Sequence, residues 1–274
     1  MAEAAGKDPE FEALTPRLAR LTGWDLGRFK ENYLRRRVDG RRRALGAGSW
    51  EAYAEALASD PDELGRLKER LTVHVTEFLR DPDLWRALER SFIAPLLFAA
   101  ALRPIKELRL WSAGCSSGEE AYSLAMLALR GARLQGRGVR VRVLASDLDR
   151  GVLDRARAGR FSAAALRLVD PRWIDEFFVP DGRGWAVGDE LKNAVAFRQM
   201  DLFSSPPALG VDLLLCRNVM IYFSKDTQQR LMRSFHTALR PGGIFVTGKT
   251  ETILGPARDR FRCLSASERV FQRV

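Results

Sequence analysis

The sequence is poor in the residues that build metal centres and disulfide frameworks. It has two histidines and three widely separated cysteines, Cys115, Cys216 and Cys263. That set offers neither a zinc spacing nor an even disulfide complement, and it suits a reducing compartment. Long apolar runs are missing as well. The greasiest stretch, Phe92 to Leu102, is interrupted by Pro95 and falls short of the roughly 20 residues a membrane span requires. The N-terminus, with Glu3, Lys7, Asp8 and Glu10, has no signal-peptide hydrophobic region. A soluble cytoplasmic protein with no metal and no membrane insertion is expected, a monomer by default.

Acidic residues are the other shortage. Lys plus Arg number 45 against 35 Asp plus Glu, a net charge of +10, which favours polyanionic partners without naming one. The excess is local: Pro16 to Gly46 holds ten basic and three acidic residues, so the partner should meet the N-terminal part. At 274 residues and 46% hydrophobic, the chain can bury one sizeable core and a smaller one, which predicts two domains.

From Asp8 to about Leu88 the periodicity is helical, punctuated at Thr22-Gly23, Gly46-Ala47-Gly48 and Asp60-Pro61. Ser49 and Asp60 read as helix starts, with acidic residues following. Beyond Arg103-Pro104, strands are expected at Leu108–Trp111, Val139–Ala145, Ala194–Met200, Val211–Cys216 and Ile244–Gly248. Helices are expected between them at Glu119–Leu129, Asp149–Ala158 and Lys225–Leu239, the last stopped by Pro241-Gly242-Gly243. This alternation predicts a doubly wound, largely parallel sheet. Phe161 to Asn193 is too long for a loop and predicts a small accessory subdomain, and Phe261 to Val274 a closing hairpin. The expected division is a basic helical domain over residues 1–88 and an α/β domain over 89–274, with the insertion at about 160–193.

The informative segment is Leu110-Trp111-Ser112-Ala113-Gly114-Cys115-Ser116-Ser117-Gly118-Glu119-Glu120, a strand entering a small-residue loop and then a helix. Such a turn lets backbone approach a ligand closely, yet it lacks the three-glycine dinucleotide fingerprint. Two carboxylates at the helix start would repel a pyrophosphate. Glu119 and Glu120 suit a ligand bearing an ammonium or sulfonium, and S-adenosylmethionine carries both; helix capping is the alternative role. Asp147, at the end of the second strand, is placed to accept from two ribose hydroxyls, while Asp149 precedes a helix as its cap.

Three blocks carry a resemblance: Leu71-Thr72-Val73-His74-Val75-Thr76-Glu77-Phe78-Leu79-Arg80-Asp81, Trp111 to Ser123, and Cys216-Arg217-Asn218-Val219-Met220-Ile221-Tyr222-Phe223. In order and spacing they resemble the signatures of the chemotaxis receptor methyltransferase (CheR) family, from about Thr22 to Val274. The resemblance implies a class I S-adenosylmethionine-dependent methyltransferase fold, a Rossmann-like doubly wound sheet with an N-terminal all-helical domain and a small inserted subdomain. It also implies methyl transfer to glutamate carboxylates of chemotaxis receptors, with S-adenosylhomocysteine as product. Cofactor contacts are implied at His74, Thr76, Arg80, Glu120, Asp147, Asp201, Leu202, Arg217 and Asn218, with Glu119 added from the helix-start argument. Arg80 and Tyr222 would face the transferred methyl. Four positions depart from the family pattern: His74 for asparagine, Leu79 for phenylalanine, Ala121 for proline and Lys249 for histidine. The short Asp181-Gly182-Arg183-Gly184 turn disfavours tethering to a receptor tail.

A glutamate carboxylate is ionised at neutral pH, so its methylation needs alignment and electrostatics rather than a general base. Arg80 suits orientation of the acceptor and Tyr222 alignment of the methyl; a surface ion pair with Asp81 or Asp83, and a half-buried strand-end aromatic, are their alternative roles. From Arg28 to Arg43, eight basic residues face only Glu31 and Asp39. On one helix, Arg28, Arg35 and Arg42 would share a line beside Arg36 and Arg43. Such runs are often solvated faces, but the acidic helical methylation region of a receptor is the partner that the resemblance implies. Two rivals remain at this level: a nucleic-acid methyltransferase of the same fold, and a non-catalytic S-adenosylmethionine-binding module. The first would usually show an Asn/Asp-Pro-Pro-aromatic stretch where Arg217-Asn218-Val219-Met220 stands.

Overall fold

The computed structural model describes residues 8–72, 75–204, 209–253 and 255–274. Its contacts divide the chain into two compact units, Met1–Val73 with Tyr222–Gln228, and His74–Ile221 with Gln229–Val274.

The first unit holds α1 (Pro9–Thr22), α2 (Glu31–Ala44), α3 (Trp50–Ser59) and α4 (Pro61–Leu71). Gly23 and Asp60, at two of the expected punctuation marks, are caps, as is the expected helix start Ser49. Asp8 accepts from the Phe11 amide, Ser49 from that of Ala52 and Asp60 from those of Asp62 and Glu63, and Gly23 ends α1 at φ 73°. These side chains satisfy amides that a helix start leaves without partners. Phe11, Leu14, Leu18, Leu34, Val38, Tyr53, Leu57 and Leu67 form the core.

A buried carboxylate crosses that core. Glu63 is fully buried, accepting from Arg41 Nε at 3.0 Å, Tyr53 Oη at 2.9 Å and Arg66 Nε at 3.0 Å. Burial pushes its pKa up, but the bonds from Arg41, Arg66 and Tyr53 outweigh burial and hold it below the usual carboxylate value.

The second unit carries the sheet. Its strands are β1 (Glu107–Ala113), β2 (Arg140–Asp147), β6 (Val195–Gln199), β7 (Val211–Cys216), β8 (Leu239–Thr247), β9 (Phe261–Ser265) and β10 (Val270–Arg273), ordered β6-β2-β1-β7-β8-β10-β9. The first four pairings are parallel, and the closing hairpin is antiparallel. β7 is buried along its whole length, as a central parallel strand covered on both faces must be. The covering helices include α7 (Glu119–Gln135), α8 (Arg150–Ala158) and α11 (Lys225–Ala238). β3 (Arg160–Ser162), β4 (Phe178–Asp181) and β5 (Gly184–Val187) make a separate sheet ordered β3-β5-β4, with α9 (Pro171–Phe177) and α10 (Asp189–Ala194) beside it in sequence. It stands where the accessory subdomain is expected.

Two expectations shift. Residues 75–88, read with the helical domain, pack in the second unit: Phe78, Leu84, Trp85 and Leu88 share a core with Leu108 and Leu110 of β1 and Leu124 of α7. Helical periodicity shows that a segment has an apolar face, not which core receives it. The segment Pro82 to Ala101 runs through α5 (Pro82–Ala87), a π-helical turn Leu88–Ile93 and α6 (Ala94–Ala101). β8 starts at Leu239, so it takes in Pro241-Gly242-Gly243, and its register with β7 shifts there between Val211 and Leu213.

Candidate active site

The carboxyl ends of β1, β2, β6 and β7 bring most of the expected residues together, as parallel α/β sheets place their ligand crevices. The loop after β1 is bound to the end of β2. Gly114 and Cys115 donate their amides to the Ser146 carbonyl at 2.7 and 3.0 Å, and Ser116 donates to Asp147 Oδ2 at 2.9 Å. Asp147 Oδ1 accepts from the Asp149 amide at 3.1 Å, and the Met200 amide donates to the Asp147 carbonyl at 2.8 Å. The carboxylate expected to meet a ribose is therefore fixed by backbone from two loops. Asp149 caps α8, accepting from Gly151 and Val152. After β6, Asp201 accepts from the Phe203 amide at 3.0 Å, forming a turn, and Leu202 is buried.

Close packing explains the glycine. Gly114 has φ 82°, and a Cβ there would come within 2.5 Å of Val219 Cγ2, so the loops after β1 and β7 meet without room for a side chain.

Glu119 and Glu120 open α7, both largely withdrawn from water. Ser117 Oγ donates to both Glu119 oxygens, at 2.8 and 3.1 Å. Glu120 accepts from Ser112 Oγ at 2.7 Å and from Arg217 Nη1 at 3.3 Å. Burial pushes the pKa of each carboxyl up despite these donors. Arg217, whose side chain is 2% exposed, bridges Glu120 to Asp81, and Lys249 stands 3.9 Å from Asp81 on the other side. Lysine in place of the family's histidine thus still meets the network. The Arg217 Nε is buried and has no hydrogen-bond partner among the described residues.

The segment carrying Arg80 is tied to the start of α7: the Leu79 amide donates to Ser123 Oγ at 3.0 Å, and that hydroxyl donates to the Glu119 carbonyl at 2.7 Å. Arg80 Nη1 donates to the Val75 carbonyl at 2.8 Å. Asp81 and Asp83, its alternative partners, pair instead with Arg217 and Lys249 and with Arg86. Thr76 is half-buried in the same segment. His74 lies outside the described residues.

Sequence reasoning missed Glu251. Its buried carboxylate accepts four backbone amides: Asn218 at 2.9 Å and Gly248 at 2.6 Å on Oε2, and Val219 at 3.0 Å and Ile221 at 3.2 Å on Oε1. Asn218 is held at φ 59°, a left-handed conformation that asparagine tolerates better than most residues. The only advance signal was a lone acid three residues after Gly248.

In the first unit, Tyr222 ends a 3-10 turn (Met220–Tyr222) and packs its ring at a tilt against Tyr33. The arginine line needs correction. Arg28 ends a separate 3-10 turn, Leu26–Arg28, and the extended residues Phe29 and Lys30 intervene before α2. Arg28 therefore does not continue the helical line of Arg35 and Arg42, and it pairs with Asp25 at 2.9 Å. Arg42 is held by Asp39 at 2.8 Å and by the Ala47 carbonyl at 3.0 Å, over the Trp50 ring. Arg43 also pairs with Asp39, at 2.8 Å. Arg35 and Arg36 have no ion pair among the described residues, and Arg36 is exposed.

The sheet order, the tight loop after β1 and the acid closing β2 define a class I S-adenosylmethionine-dependent methyltransferase. The residues fit that cofactor: the buried Glu119 and largely buried Glu120, both with raised pKa, favour a cationic ligand, and the buried Arg217 Nε can donate to an acceptor. Among the described residues, no group of three His, Cys, Asp or Glu side chains could hold a metal, and no helix is long and apolar enough to cross a membrane.

Residues 74–270 match the model of the CheR methyltransferase SAM-binding domain, and residues 9–72 that of the CheR all-alpha domain. The chain belongs to the CheR methyltransferase family. It is 35% identical over 254 residues to Chemotaxis protein methyltransferase 2 of Pseudomonas aeruginosa, covering 89% of this chain and 87% of that one. It is 32% identical to the Chemotaxis protein methyltransferase of Listeria monocytogenes, covering 86% and 87%. An uncharacterized 104.1 kDa protein of Rhodobacter capsulatus is 32% identical over 99% of this chain, which spans 28% of that relative's length. The protein is thus a methyltransferase that uses S-adenosylmethionine.

Proposed function

We propose that this methyltransferase esterifies glutamate side chains in the acidic helical methylation region of chemotaxis receptors, acting in the cytoplasm. The observation that carries the reading is the match to both CheR domains along nearly the whole chain. The experiment is methyl transfer from labelled S-adenosylmethionine to receptor membranes, with release of the label by mild alkali as the mark of an ester.

Bound S-adenosylmethionine supplies an electrophilic methyl on a sulfonium. Glu119 and Glu120 offer negative charge to its cationic part, and Asp147 accepts from its ribose. Arg217 and Asn218, Thr76 and the Asp201-Leu202 turn complete the contacts this reading assigns, with His74 and Arg80. Arg217 is suited to hold an acceptor at its unpartnered Nε, since a buried N–H without a bond is costly. Arg80 commits one N–H to Val75, and Nε and Nη2 have no partner among the described residues. Those two donors match the fork by which a guanidinium orients a carboxylate. The Tyr222 phenol is assigned to alignment of the methyl. No general base is required, because the acceptor is already an anion.

The helical domain is assigned to substrate recognition. Arg35 and Arg36 are the best electrostatic candidates; Arg28, Arg42 and Arg43 already have acidic partners within their own unit and would add less field.

A further inference from the structure

We infer that Glu251 is a positioning residue for the cofactor site: its carboxylate sets the conformation of residues 217–221, and through them the loops at the carboxyl ends of β1 and β7. The inference does not depend on which acceptor is methylated, since it concerns the cofactor side alone.

The geometry is unusual for a loop. Residues 218, 219 and 221 have no strand neighbour for their amides, and all three amides converge on one side chain, at 2.9, 3.0 and 3.2 Å. A fourth bond, from the Gly248 amide at 2.6 Å, closes the turn that carries Glu251 itself. The Glu251 amide in turn donates to the Gly248 carbonyl at 2.9 Å. An ionised carboxylate is acceptor-only and offers about four lone-pair sites, so four donors match its capacity. The turn is shaped around this contact: a Cβ at Gly248 would lie 2.8 Å from Glu251 Oε2 and 2.9 Å from the Asn218 nitrogen.

What the carboxylate holds is a left-handed residue set between Arg217 and Val219, both of which are tied to neighbouring loops. Asn218 is at φ 59°, a conformation that persists when its surroundings over-determine it. Arg217 just before it is bound to Glu120 and Asp81. Val219 just after it fills the space that the missing Cβ of Gly114 leaves. Releasing Glu251 therefore loosens Arg217 on one side and the loop after β1 on the other. The four hydrogen bonds of the Glu251 carboxylate all come from backbone amides, so it acts through the backbone it binds.

Glutamine is the discriminating substitution, because it keeps the volume and replaces one acceptor oxygen by an NH2 that meets amide donors head-on. Amide hydrogen exchange of the ligand-free wild type should show Asn218, Val219 and Ile221 protected despite lying outside any strand. In Glu251→Gln, exchange across residues 217–221 should rise at least tenfold, with β1, β2 and α7 unchanged. Calorimetry should show S-adenosylhomocysteine binding weakened tenfold or more. Glu251→Asp, which keeps the charge but retracts it by one methylene, should fall between. Rapid exchange at these amides in the wild type would overturn the proposal whether or not a variant folds. So would affinity within twofold of wild type in Glu251→Gln, or exchange that rises uniformly through the whole unit, which would make Glu251 a general fold residue.

Discussion

Tyr33 and Tyr222 lie with ring centroids 4.7 Å apart at an interplanar angle of 37°. The Tyr33 hydroxyl donates to the Leu71 carbonyl at 2.7 Å, and burial raises its pKa to about 12. The backbone of Tyr222 is fixed as well, its carbonyl accepting from the Lys30 amide at 2.9 Å. Ring and backbone are thus held independently of the phenol oxygen. Tyr222→Phe should keep cofactor affinity while slowing methyl transfer. Equal loss of binding and rate would mark a structural role, and an unchanged rate would show that the hydroxyl takes no part.

Asp147→Ala should weaken S-adenosylmethionine and S-adenosylhomocysteine alike, by about 1.5–3 kcal/mol, tenfold or more in Kd. Part of that loss arises from the Ser116 and Asp149 amides, which the carboxylate holds at 2.9 and 3.1 Å. Unchanged calorimetric affinity in a folded variant would remove the ribose assignment.

Much of the fold was legible because its signals are local. Ser49, Asp60, Asp149 and Gly23 cap the helices they punctuate, and the closing hairpin follows its expected turn. The Gly114 loop and Asp147 were legible because strand, small residues and acid follow one another in sequence. Glu251 was not, since its four amides lie on two separate segments and nothing in a one-dimensional pattern joins them. The Arg28–Arg35–Arg42 line failed for a related reason. Periodicity continued through Phe29 and Lys30, whereas their extended backbone places Arg28 outside the helix.

Glu120 carries a pH prediction. Its folded pKa is raised by burial, with Arg217 and Ser112 opposing. A raised carboxyl binds protons in the folded state more readily than in the unfolded one, so its ionisation costs stability above the unfolded value and the cost fades as pH falls through the folded value. A cationic ligand favours the ionised form. S-adenosylmethionine binding just above pH 4.5 should therefore release protons, seen as a buffer-dependent calorimetric enthalpy, and Glu120→Gln should reduce that release. Equal proton release in wild type and variant would contradict the assignment of Glu120.

Glu63 has the opposite sign. Its folded pKa is lowered, burial being outweighed by Arg41, Arg66 and Tyr53, so its contribution is present above the unfolded value and lost as pH falls through the folded one. Removing it leaves the Arg41 guanidinium and the Tyr53 hydroxyl without their acceptor. Glu63→Ala should destabilise the helical unit by about 3–5 kcal/mol at neutral pH, and the gap to wild type in a denaturation series should narrow below about pH 4, under the unperturbed glutamate value. A gap that stays constant down to that range would contradict the account.

Arg35 and Arg36 test recognition separately from chemistry. Reversing both to glutamate should leave S-adenosylhomocysteine affinity unchanged and sharply reduce methylation of receptor membranes. The wild-type rate at low substrate should fall with salt, as the screening length shrinks from about 10 Å at 0.1 M to about 3 Å at 1 M, and the variant should respond much less. Normal methylation by the variant would leave the two arginines as a solvated face.

The most direct measurement is methyl transfer from labelled S-adenosylmethionine in a mixture holding receptor membranes and duplex DNA together. The account predicts label on the receptor band, released as methanol by mild alkali, and none on DNA. Alkali-stable label, label on the nucleic acid, or cofactor binding with no transfer at all would contradict it.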